Sequence, residues 1–304
     1  MDYLGLQGAV NAAFRRDDYA LCFSLVDEFI EAAEDSEQDR ACAFALKASV
    51  ISQADRRRAT EGLALVEEAL PVLKGDPGMS LHTLVTALAL CFAIGDIRRA
   101  CVYESLAHRL LAAHGDYPHV RVSLYRLHLN LGILASFRGE HPTAYWHFTQ
   151  GITRLLADGT DDGGTGQWWL FWLYLRSATT CLSMGRLPEA EEALKHAAEF
   201  AVTPTQRMRS AVDRAELLRQ RGRPNEASAA LAQIEQQPPA ALELENRARF
   251  LLVRALLAKD LNDLRGFHTH LAGARKEAAT HSLDYLLSNI QRIERGDSPS
   301  EIGG

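Results

Sequence analysis

Apolar positions along the chain recur at intervals of three and four. Leu21, Leu25, Phe29 and Ile30 form one such set, Leu63, Val66, Leu70 and Leu73 a second, and Leu187, Ala190, Leu194 and Ala197 a third. That spacing puts the side chains on one stripe of an α-helix. Alternating Val/Ile/Thr runs and Asn-Gly hairpin turns, the marks of strands, are missing from the sequence. The pattern predicts an all-α chain.

The periodic stretches come in pairs with short breaks at Asp17-Asp18, Asp55-Arg56-Arg57, Gly95-Asp96, Gly139-Glu140, Gly185-Arg186, Gly222-Arg223 and Lys259-Asp260. The four break glycines follow one another at 44, 46 and 37 residues. A two-helix unit recurring at this length marks a solenoid. Glycine suits a helix end that turns left-handed. Pro142, Pro188 and Pro224 stand just after breaks, where proline is tolerated in the first turn of the next helix. The stretch Ser282 to Arg295 carries Leu283, Leu286, Leu287, Ile290 and Ile293 on one side, as a helix closing the open apolar end of an array would. About seven helical hairpins are thus expected over residues 1–295, followed by a frayed tail at 296–304. The breaks at Gly159–Gly166 and Gln236–Pro239 read as the loosest connections.

One unit carries a family resemblance. Residues 131–151, LGILASFRGEHPTAYWHFTQG, place Leu131-Gly132, Ala135, Gly139, Ala144 and Phe148 in a pattern that resembles the tetratricopeptide repeat. Weaker copies run over 178–197 and 215–234, and fainter ones surround Gly95 and Gly62. The units are longer than the family's standard of about 34 residues. In that respect, and in its Arg/Ala/Leu-rich style, the chain is similar to the helical sensor domains of bacterial regulators of the maltose-regulator and peptide-pheromone-receptor types. No basic helix-turn-helix segment accompanies them in this sequence. The resemblance implies a right-handed superhelix whose first helices line a concave surface.

Composition narrows the function. The chain has 304 residues, 33 Lys+Arg against 39 Asp+Glu, a net charge of −6 and 47% hydrophobic residues. This excludes a disordered or fibrous chain and gives no general attraction to nucleic acid. Five cysteines, an odd number without a Cys-x-x-Cys, read as buried thiols in a reducing compartment. The N-terminus lacks a signal-peptide pattern. The longest apolar stretch, Trp168 to Leu175, is far short of the ~20 residues a spanning helix needs. A cytoplasmic protein without membrane contact is expected.

Alignment of the hairpins on Gly139, Gly185 and Gly222 predicts the residues facing the concave side. Those expected to bind a ligand are Arg126, Asn130, Phe137, Trp172, Arg176, Thr179, Arg209 and Asp213. Leu129, Ile133, Ser183, Glu216 and Gln220 stand beside them. Arginine forks and an Asn amide offer directed hydrogen bonds to a peptide backbone or carboxylate. The set resembles the clamp by which some tetratricopeptide proteins hold a peptide terminus. Solvated surface residues are the competing reading, and core packing competes for the tryptophans of Gln167–Arg176. No cofactor or metal is expected. Gly163-Gly164-Thr165-Gly166 lacks the Lys-Ser/Thr of a phosphate loop, and the histidines lack ligand spacing. The sequence therefore predicts a non-catalytic scaffold for a peptide, protein segment or small effector, acting as a regulatory sensor or adaptor. One alternative is self-association, as a homodimer, through the tryptophan-rich helix. The other is a helical-toroid enzyme, which needs clustered carboxylates; Glu67-Glu68 and Glu189-Glu191-Glu192 are instead expected on outer faces.

Overall fold

The computed structural model describes residues 2–14, 16, 18–33, 36–115, 123–158, 165–235, 245–280 and 283–295. Among them are fifteen α-helices and no strand. The helices pair as hairpins: α1 (Tyr3–Phe14) with α2 (Tyr19–Ala32), α3 (Glu37–Ala54) with α4 (Ala59–Val72), and α5 (Pro77–Ala93) with α6 (Ile97–His114). Next come α7 (Leu124–Phe137) and α8 (His141–Asp158), then α9 (Thr165–Ser183) with α10 (Leu187–Glu199). The last pairs are α11 (Pro204–Gln220) with α12 (Pro224–Glu235), and α13 (Glu245–Asp260) with α14 (Leu264–Thr280). A final helix, α15 (Asp284–Arg295), follows. The tail at 296–304, most of the 159–166 break and the 236–239 break lie outside the described residues.

From the third hairpin to the seventh, the turn is built one way. The N–H groups of Asp96, Glu140, Arg186, Arg223 and Asp263 donate to the carbonyls of Cys91, Ala135, Cys181, Leu218 and Ala258 at 2.8–3.0 Å. The residue before each donor is left-handed: Gly95, Gly139, Gly185, Gly222, and in the last hairpin Asn262 at φ 59°. This closure satisfies carbonyls that a helix end would otherwise leave bare. It also corrects one boundary: α13 continues through Lys259-Asp260, and its turn comes two residues later, at Leu261-Asn262. Asp96 and Asp263 then cap the second helix by accepting from the N–H groups of Arg99 and Gly266, at 2.9 and 2.8 Å. Arg186 and Arg223 occupy the same place and fork onto Glu189 and Glu226.

From α3 onward, first helices are covered on more sides than second helices. Twelve of the 17 residues of α5 are buried, against three of the 18 of α6. A helix packed between its own partner and the adjacent hairpins must be apolar nearly all round, whereas an outer helix needs one apolar stripe. Ala100, Ala144, Ala190 and Ala227, each five residues after its glycine, are fully buried on that stripe.

The chain forms two compact units, 1–134 and 135–304, and α7 runs through the boundary. In the first, Leu6, Val10, Val26 and Val50 join α1, α2 and α3, while Leu63, Leu88, Tyr103 and Leu127 join α4 through α7. In the second, Phe171, Leu175 and Leu194 join α9 to α10. Val212, Leu231 and Val253 join α11, α12 and α13, and Leu256, Phe267 and Ile290 join α13 to α14 and α15. The final helix thus closes the second unit with the face the sequence predicted.

Candidate binding surfaces

One position recurs in register. Thirteen residues before its left-handed turn residue, each first helix from α5 to α13 carries a large nitrogen-bearing side chain. These are His82 before Gly95, Arg126 before Gly139, Trp172 before Gly185, Arg209 before Gly222 and Arg249 before Asn262. His82, Arg126 and Arg249 meet polar groups of neighbouring helices and Arg209 meets Asp213 of its own, whereas Trp172 packs among aromatic rings.

In the first unit, Arg126 is 9% exposed. Its Nη1 lies 2.7 Å from His82 Nδ1 and its Nη2 3.4 Å from Ser49 Oγ. A guanidinium has no acceptor, so His82 Nδ1 accepts and the ring proton sits on Nε2. Burial, then the Arg126 charge, holds this imidazole well below the usual histidine range. Asn130 spends its amide on the carbonyls of Val85 and Arg126, both at 3.2 Å. Its part is to tie α7 to α5.

In the second unit, α9, α11 and α13 enclose a crevice of about 420 Å³, solvent-open space included. Thr179, Ser183, Asp213, Glu216, Gln220 and Arg249 supply its polar lining; Leu182, Leu252, Val253 and Leu256 supply the apolar part. Five of these polar residues are ones the sequence aligned toward a groove. Asp213 accepts from Arg209 Nε and Arg249 Nη2, both at 3.2 Å, with all three side chains under 8% exposed. Arg219 forks onto Glu216 at 2.8 Å and reaches Asp260 at 2.6 Å. The carboxylates of the crevice are therefore already engaged. Arg249 Nη1 is not: it is buried and reaches no partner among the described residues. A buried donor left without an acceptor costs about 1–3 kcal/mol, more when charged, so this group favours an incoming oxygen.

The expected ligand residues thus divide. Thr179 and Asp213 line the crevice. Arg209, 1% exposed, stands behind Asp213. Arg176 and Phe137 are half-buried, and the Arg176 carbonyl receives the Thr179 and Thr180 hydroxyls. Trp172 packs edge-on against Phe171 and Trp168, and its indole N–H is buried without a partner among the described residues. Arg126 and Asn130 belong to the first unit. The reading of these arginines as solvated surface groups fails for Arg126 and Arg209, which are buried. Four of the five cysteines are buried. Burial pushes the Cys22, Cys42 and Cys181 thiols up to about 11 and Cys91 to about 12, so all four stay protonated. Among the described residues, no three His, Cys, Asp or Glu side chains gather to hold a metal. No described helix is long and apolar enough to cross a membrane.

No protein-family model matches the chain, and no curated protein does. Among solved structures it is similar to BtubC (BKLC) from P. vanneervenii. The identity is 14% and the TM-score 0.52, over 76% of this chain and 90% of that one. At that identity the likeness speaks for a shared helical fold alone.

Proposed function

We propose that the chain is a non-catalytic binding scaffold of the tetratricopeptide type. Its second unit receives an extended peptide or protein segment in the crevice between α9, α11 and α13, in the manner of a regulatory sensor or adaptor. The observation that carries this reading is Arg249, which lines a partly apolar crevice and whose Nη1 has no partner among the described residues. The chemistry fits a carboxylate flanked by an aliphatic side chain: Arg249 meets the oxygen, and Leu252 and Leu256 meet the carbon. Ion pairing of Asp213 and Glu216 supports a binding role over acid–base chemistry, which needs a carboxylate at liberty to exchange protons.

An array of decapeptides with free C-termini, run beside the same peptides amidated, tests this reading. Retained peptides should place an apolar side chain next to a terminal or side-chain carboxylate. Ser183→Phe fills the crevice without touching the ion pairs and should weaken their Kd by about tenfold or more at unchanged melting temperature. No retained peptides, or equal binding by Ser183→Phe, would refute it.

A further inference from the structure

The first unit holds a second polar cluster that the crevice does not explain. Tyr3 of α1 and Met79 of α5 both pack against a patch that includes Cys42 and Ala45 of α3. One turn further along α3 and α5 stand Ser49 and His82, the partners of Arg126. Four helices thus bring a phenol, a hydroxyl, an imidazole and a guanidinium to one region. The Tyr3 hydroxyl and the His82 Nε2–H are both buried, and neither reaches a partner among the described residues. Both are donors. Burial, reinforced by the Cys42 thiol, pushes the phenol well above the usual tyrosine range despite Arg126, so it keeps its proton. The carboxylate closest in influence, Asp76, is spent capping α5 through the Met79 N–H. Donors gathered beside a positive charge call for an oxygen acceptor that bears negative charge.

We infer that the first unit binds a small oxyanion, the carboxylate or phosphate of an effector, between α1, α5 and α7. The His82 Nε2–H and the Tyr3 hydroxyl donate to it, and Arg126 supplies the charge. The inference does not depend on the peptide crevice, which lies in the other unit and is lined by other residues.

The test uses the full chain at constant ionic strength. Inorganic phosphate and acetate serve as probes against a chloride baseline, with melting temperature and titration calorimetry as readouts. Saturable stabilisation beyond chloride is expected from one of the two; phosphate would mark a phosphoryl ligand and acetate a carboxylate. Tyr3→Phe removes only the hydroxyl. It should weaken that binding by about tenfold, the loss of one hydrogen bond to a charged group, and leave the anion-free melting temperature unchanged or raised. His82→Leu, which removes the second donor, should weaken it further. The inference is overturned if neither anion stabilises beyond chloride, or if Tyr3→Phe binds as tightly as the wild type. A lower anion-free melting temperature in Tyr3→Phe would also overturn it, since the hydroxyl would then already have a partner such as water.

Discussion

A guanidinium donates and never accepts, and that property of Arg126 sets the state of His82. The imidazole must stay neutral with its proton on Nε2, and burial makes charging it costlier still. In the unfolded chain a histidine takes up its proton near about pH 6.5; in the folded chain His82 does so well below that. Between the two values the unfolded state binds more protons, so stability is lost as pH falls through that window and is unaffected above it. His141 and His270 are shifted downward too, by burial and then by the charges of Arg292 and Arg254, and act in the same direction. The melting temperature should therefore drop between pH 7 and pH 5, and His82→Gln should flatten part of that slope. An unchanged slope in the variant would rule out His82 as a contributor. None of this was legible in the sequence. The unit around Gly95 matches the repeat pattern faintly, and a lone histidine carries no spacing signal. Its partner Arg126 stands 44 residues away.

At the scale of the element, five hairpins share one turn, and four of them announce it with glycine. The exception explains the main gap in reading the site. Asn262 takes the left-handed conformation that asparagine tolerates better than other side-chain-bearing residues. With no glycine to align on, α13 fell out of register, and Arg249 escaped notice although it occupies the position of Arg126 and Arg209. The helices themselves were legible because each buried stripe repeats at helical spacing. The polar partners were not, since pairing depends on which first helices adjoin. The turns allow a clean energetic test. At Gly139, φ +75°, a Cβ would meet nothing within 4 Å, so Gly139→Ala carries a conformational cost alone, about 1 kcal/mol. Asn262→Gly should be neutral or stabilising by up to a similar amount. Gly62 differs in kind, because its Cβ would fall 2.8 Å from Leu90 Cδ2 and the penalty there would be steric. Denaturant midpoints that moved equally for Gly139→Ala and Asn262→Gly would contradict this account of the turn.

At the scale of the whole molecule, the probes of folding sample the two units unequally. All four tryptophans, Trp146, Trp168, Trp169 and Trp172, lie in the second unit, whereas helices fill both. Fluorescence therefore reads residues 135–304, and far-ultraviolet circular dichroism reads the entire chain. In an array whose modules contact only their neighbours, a lesion is felt mainly where it is made. Leu88 is fully buried in the core joining α4 through α7, and Leu88→Ala should cost that unit about 2–5 kcal/mol. The dichroism transition should then broaden and shift toward lower denaturant, while the tryptophan transition holds its midpoint. Were both to shift together by the full amount, the continuous helix α7, which crosses from one unit into the other, would be transmitting the loss. The molecule would then unfold as a single cooperative body, and ligands of the crevice and of the Tyr3–His82 cluster would each stabilise the whole chain. With separate transitions, a crevice ligand should instead raise only the transition that fluorescence follows, so the Leu88→Ala result also decides which probe can detect either ligand.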